Sequence, residues 1–208
     1  MSNQTIKDKI MGWIGPTNVF ATPPLEDFIA LGPDAPTLCE GWDARDLAAH
    51  IRLREARPDA SLGVLGGPVA GWTKRVQDSI ADQPYEKLVD SIRNGPPFLS
   101  LYRVPGLDAQ LNLVEFVVHH EDLRRGQDDW TERELAPDLA DFLWERAQQI
   151  ARAKGRSSRR GLRLVRTDGA GGSTAVSDDG PVRTVTGPAL ELLLYVFGRR
   201  AVHVDIAD

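Results

Sequence analysis

Four histidines and one cysteine in 208 residues leave few places for metal or nucleophilic chemistry. The densest is NLVEFVVHHEDLRRG, residues 112–126. Within it Glu115 and His119 are four apart, so on a helix they project side by side, about 40° apart around the axis. A carboxylate and an imidazole so placed can grip one cation. Leu111, Val114 and Val118 share or flank that face, an interleaving that a solvated charge run lacks. The same spacing also serves an ordinary Glu–His ion pair on a half-buried face. His50 adds a third donor from elsewhere in the chain. It follows Leu47 by three on a strongly patterned helix and points to a bundle interior or its edge; the plainer alternative is a core histidine bonded to a carbonyl. Helical bundles build metal sites from inward side chains on separate helices. His50, Glu115 and His119 form a three-ligand set for zinc that keeps a position for water or substrate. The set suits nickel and non-haem iron as well.

The neighbouring candidates are weaker. HEDLR, from His120, has Arg124 where a zinc-protease helix needs its second histidine. His120 is about 100° around the helix from His119, which puts it on a flank or in support behind the ligands. Asp122 can accept the ring N–H of His119, an orientation metal histidines often need, or pair with Arg124 or Arg125. GAGGS, residues 169–173, follows one strand-like run and opens another, so it reads as a hairpin turn and not a phosphate loop. Cys39 has no histidine near it in sequence and reads as a half-buried structural thiol. His203 alternates with Val202 and Val204, on the opposite strand face and with no nameable partner.

These residues need elements to hold them. Thr22-Pro23-Pro24, then LEDFIAL and Gly32, predicts a short helix. Asp43 caps ARDLAAHIRLREAR, which ends before Pro58. A third helix covers about Val69 to Ala81, interrupted by Gly71. A fourth opens at Pro84-Tyr85 with Tyr85, Leu88, Val89 and Ile92 at helical spacing and ends before Asn94-Gly95. The longest runs from Leu107 to Arg125, with Gly126 as its stop. After about Pro137 the character changes. A helix from Leu139 to Lys154 precedes the strand-like runs GLRLVRT, STAVS and PVRTVT, with a turn at Asp178-Asp179-Gly180. ALELLLYVF is a last helix and VHVDI a final strand. The expected fold is mainly α, a helical bundle over residues 1–134 and a small α+β domain over 135–208.

Composition bounds the function. The chain is 41% hydrophobic and 26% charged, which describes a globular protein able to bury a core without staples. Its net charge of −5 argues against nucleic acid as a partner. The longest apolar run, Leu192 to Phe197, is far below the ~20 residues of a membrane helix, so no membrane partner is expected. A single cysteine and the absence of a signal-like apolar stretch fit the cytoplasm.

PTLCEGWDARDLAAHI resembles the opening signature of the DinB-like superfamily branch that contains mycothiol-dependent maleylpyruvate isomerase, and EFVVHHEDLRRG resembles its second signature. More narrowly, GPDAPTLCEGW, RLREARPDA and FVVHHEDLRRG are similar to an actinobacterial family described only as metal-binding proteins. The tail GPALELLLYVFGRRAVHVDI resembles the small C-terminal domain accompanying that bundle, and the whole likeness spans roughly residues 30–208. It implies a four-helix bundle holding one divalent ion, zinc or nickel, with His50, Glu115 and His119 as ligands. It also implies a low-molecular-weight thiol such as mycothiol as cosubstrate, a small electrophile as substrate, and Arg199 in FGRR assisting catalysis. MGWIGPTNVFATPP, residues 11–24, departs from the long first helix of that branch. The expected activity is thiol-dependent transfer or isomerisation; the alternatives are hydrolysis by metal-activated water and a metal-binding module without turnover. A positive pocket from Arg124, Arg125 and Arg199 would favour an anionic thiol or substrate.

Overall fold

The structure, a computed structural model, describes residues 24–57, 67–68, 70–94, 108–155, 161–175 and 182–208. The N-terminal segment, Thr22-Pro23, Pro58, Val69, Gly95, Leu107, the end of STAVS, Pro181 and the Asp178-Asp179-Gly180 turn lie outside the described residues, as does the side chain of Leu111. The described residues are mainly helical, with one small four-stranded sheet. They fall into two compact units, divided between Trp130 and Thr131. No helix among the described residues is long and apolar enough to cross a membrane.

In the first unit α1 (Pro24–Leu31) stops at Gly32, whose φ of +84° suits a residue without Cβ. α2 (Ala44–Ala56) starts at a capping box: the Asp43 carboxylate accepts from the Asp46 N–H at 2.9 Å, and the Asp46 carboxylate reaches back to the Asp43 N–H. Such a cap is worth about 1 kcal/mol and fixes where the turns of α2 begin, hence which way His50 faces. α2 is packed against α1, α3 (Ala70–Ala81), α4 (Tyr85–Arg93) and α5 (Asp108–Arg124). Being surrounded, it buries Leu47, Ala48, Ala49, His50, Ile51 and Leu53 on more than one side. α4 buries Tyr85, Leu88, Val89 and Ile92, the set its periodicity selects, and the Tyr85 hydroxyl donates to the Phe28 carbonyl at 2.9 Å to fasten α4 to α1. α3 runs straight through Gly71.

In the second unit α6 (Pro137–Gly155) packs on α7 (Ala189–Val196). The sheet order is β2-β1-β3-β4. β1 (Gly161–Arg166) pairs antiparallel with β2 (Gly172–Ala175) and parallel with β3 (Val182–Gly187), and β3 pairs antiparallel with β4 (Asp205–Ala207). GAGGS is the β1–β2 hairpin, with Gly169 and Gly171 at positive φ. The buried Arg166 guanidinium ties Asp141 on α6 to Asp168, each at 2.7 Å, and Asp168 also accepts the N–H of Ala189 at the start of α7.

The final strand begins three residues later than VHVDI predicts. The His203 N–H donates to the buried Glu191 carboxylate at 2.9 Å, so the backbone there is engaged by a side chain and the ladder starts at Asp205. His203 also has a partner its alternation did not reveal: its Nδ1 pairs with the Glu132 carboxylate.

Candidate metal centre

α2 and α5 bring His50, Glu115 and His119 together, one ligand atom from each lying within 4.8 Å of the others. His50 is 3% exposed. Its ring meets that of His119 edge-on, centroids 5.0 Å apart at 78°, and meets the half-buried Trp42 at 5.0 Å on another side. His119 Nε2 stands 3.5 Å from Glu115 Oε2. Two ligands held at 2.0–2.1 Å by a tetrahedral ion are about 3.3 Å apart, so that gap matches a pair sharing a cation. His50 Nδ1 is buried with no hydrogen-bond partner. A buried nitrogen left so costs roughly 1–3 kcal/mol.

The far side of His119 is fixed. Its Nδ1 lies 3.0 Å from Oδ2 of the fully buried Asp122, where Nδ1–H donates to the carboxylate and turns Nε2 toward Glu115. Asp122 therefore serves His119; Arg124 and Arg125 both turn to Glu121, at 3.0 and 2.7 Å.

The metal-free electrostatics follow. Burial pushes the His50 imidazole down to about 3, helped by the positive charges of His119 and Arg54, so it is neutral at pH 7. Burial opposes charge on His119 too, but hydrogen bonds to Asp122, Cys39 and Glu115 override it and raise the imidazole to about 10. Burial alone would raise Glu115; its bond to His119 and the nearby Arg54 outweigh that and hold the carboxyl below its usual range. A proton on His119 thus occupies the negative locus that a cation would take.

A second donor group shares His119 from its other nitrogen. Cys39 Sγ lies 3.3 Å from Asp122 Oδ2 and 3.9 Å from His119 Nδ1. Cys39, Asp122 and His119 are also close enough to hold an ion. There, however, Asp122 and Nδ1 are already at hydrogen-bond distance, and an ion would have to displace the proton that orients His119. The His50 side needs no such loss.

The loop carrying Cys39 is built by its own residues. The Thr37 hydroxyl donates to the Trp42 carbonyl at 2.8 Å and accepts from the Cys39 N–H at 3.1 Å, while Gly41 takes φ +76° to complete the turn. The Leu38 N–H donates to the Asp122 carbonyl at 2.9 Å. Gly126 makes that approach possible: a Cβ there would sit 2.3 Å from the Pro36 carbonyl oxygen. Proximity requires this glycine, in addition to its place just past the end of α5.

His120 is turned away from the donor group, as its angle on the helix requires. Its Nε2 meets Asp27 of α1 at 2.8 Å and its ring stacks on Phe116, so it braces α1 on α5. Arg54 is a residue the sequence reading missed. One turn beyond His50, it places Nη1 3.5 Å from Glu115 Oε2, and its i+4 relation to His50 was the available signal. Arg124 and Arg125 pair with Glu121, and among the described residues Arg54 is the arginine paired with Glu115 of the donor group. Arg199 lies just after α7 in the second unit, its Nη1 donating to the Phe197 carbonyl at 3.2 Å. Comparison with protein-family models, curated proteins and solved structures gives no match for this chain.

Proposed function

We propose that this protein binds one divalent cation, zinc before nickel or iron, through His50, Glu115 and His119, and uses it in thiol-dependent transfer to, or isomerisation of, a small electrophile. The observation carrying the metal reading is the convergence of the three donors from two helices, with His119 already oriented by Asp122. The thiol chemistry rests on the likeness of PTLCEGWDARDLAAHI and EFVVHHEDLRRG to the isomerase branch of the DinB-like superfamily, with its four-helix bundle and mycothiol as the thiol. When bound, the ion supplies Lewis acidity that lowers the pKa of a thiol offered to it. The chain's own part is to hold the ion with neutral His50 and ionised Glu115, and to release the His119 proton as it does so. Asp122 keeps the proton on His119 Nδ1, so the one released is that on Nε2. Three protein donors leave a coordination position for the reactant. Arg199 is the residue the likeness offers for an anionic substrate. A reducing cytoplasm suits both Cys39 and a small-thiol cosubstrate.

Elemental analysis of protein purified without added metal tests this. About one ion per chain is expected, lost in His50→Ala, Glu115→Ala and His119→Ala and retained in His120→Ala. No ion, and none taken up on titration, overturns the metal reading. A loaded protein that consumes no thiol with any electrophile, yet hydrolyses esters or amides, moves the assignment to hydrolysis; neither activity leaves a binding module.

A further inference from the structure

Arg54 has a charge that holding a metal does not require. Its Nη1 sits 3.5 Å from Glu115 Oε2, the same oxygen that stands 3.5 Å from His119 Nε2. Its Nε is buried with no hydrogen-bond partner, and the side chain is 21% exposed. Among the described residues Glu115 is its ion-pair partner, at a length beyond a hydrogen bond. A divalent ion on Glu115 draws on that single carboxylate charge and adds two positive ones. His50 and a metal-bound His119 contribute none. The locus is then positive even with the Asp122 carboxylate counted behind His119, and partial burial strengthens its pull on an anion. Arg124 and Arg125 are turned to Glu121.

Resting on the metal reading above, we infer that Arg54 is a specificity-determining residue that seats a carboxylate on the ligand entering the coordination position, a short chain away from the atom that meets the metal. A guanidinium offers a planar fork matched to a carboxylate, and the Arg54 side chain, 21% exposed beside Glu115, can be reached by one. The favoured ligands are small and bifunctional, with one soft or anionic donor for the ion and one carboxylate for Arg54.

The test uses the full-length protein loaded with Co²⁺, titrated with 3-mercaptopropionate and with 2-mercaptoethanol while the thiolate-to-cobalt charge-transfer absorption is followed. The wild type binds the carboxylate thiol about tenfold more tightly, the scale of one charge-assisted hydrogen bond. Arg54→Met removes that preference while cobalt is still taken up and 2-mercaptoethanol still binds; Arg54→Lys restores part of it. Equal binding of the two thiols by the wild type overturns the inference, as does a preference that survives Arg54→Met. An absorption band with neither thiol overturns it while the metal site stands. Failure to take up cobalt overturns the metal reading itself, a separate result seen before any thiol is added. If Arg54→Met fails to fold, Arg54→Gln takes its place in the same comparison, and a preference that survives it overturns the inference.

Discussion

α5 carries two charged clusters less than two turns apart, and they are built to opposite ends. Around Glu121 everything is closed: Arg125 Nε at 2.7 Å, Arg124 Nη1 at 3.0 Å, and the Arg125 guanidinium over the Trp130 ring at 4.4 Å. Both partners of the Glu121–Arg125 pair have fully buried side chains. Around Glu115 the contacts stand at 3.5 Å, and a buried nitrogen of His50 has no partner. Acidic and basic groups are present in both. What separates a structural ion pair from a candidate metal centre is the spacing left between donors, and the polar atom left unsatisfied.

The largest test of that contrast removes each of the two carboxylates in turn. Glu121→Ala leaves Arg125 buried without its partner, and we expect a loss of about 3–5 kcal/mol in unfolding free energy by urea denaturation. The folded fraction should keep its metal. Glu115→Ala should do the reverse, losing the metal while lowering the urea midpoint of the metal-free protein less than Glu121→Ala does. Metal loss in Glu121→Ala at full stability would erase the distinction.

A smaller effect probes the support behind the site. Asp122→Asn keeps the shape but weakens the acceptor for His119 Nδ1–H, and metal affinity should fall by roughly 10–100-fold in a chelator competition. An unchanged affinity would mean that Asp122 serves only the Cys39 side.

The subtlest effect is in pH. In the metal-free protein His119 is raised from 6.5 to about 10, so its contribution is whole below pH 6.5 and is lost as pH climbs through 10. His50 is lowered from 6.5 to about 3, so its contribution is present above pH 6.5 and is lost as pH falls toward 3. These two groups together place maximum stability near pH 6.5. With metal bound, His119 is already deprotonated and the alkaline decline should vanish, with about one proton released per ion near pH 7.5. Melting temperatures at pH 7 and 9, and calorimetry in buffers of different ionisation enthalpy, read both. A proton count near zero would show that His119 is neutral before the metal arrives.

Much of the frame was legible in the sequence because its signals are local. The Asp43 cap, the Tyr85 to Ile92 periodicity and the Glu115–His119 spacing each act within a turn or two. Leu47 and His50, three apart, put a histidine on a patterned face of α2. Other features depend on distant residues. Cys39 meets Asp122 across 83 positions, which no reading of PTLCEGW supplies. The late start of β4 is set by Glu191, twelve positions before His203. Arg54 was the exception: its i+4 step from His50 was in view, but its meaning required Glu115 to be known as the partner.

The meeting of the Cys39 loop with the end of α5 also fixes when the site can come into being. Closing a loop of 83 residues costs roughly 4 kcal/mol of chain entropy before any contact returns it. The helices are local and form early, whereas the Leu38–Asp122 bond and the turn past Gly126 wait for that closure. On a ribosome, His50 is made long before Glu115 and His119, and α5 cannot dock on the loop until Gly126 has emerged. If these donors hold an ion, its loading would then be among the last steps of folding, and metal captured by a partly made chain would be held by fewer donors than the finished one.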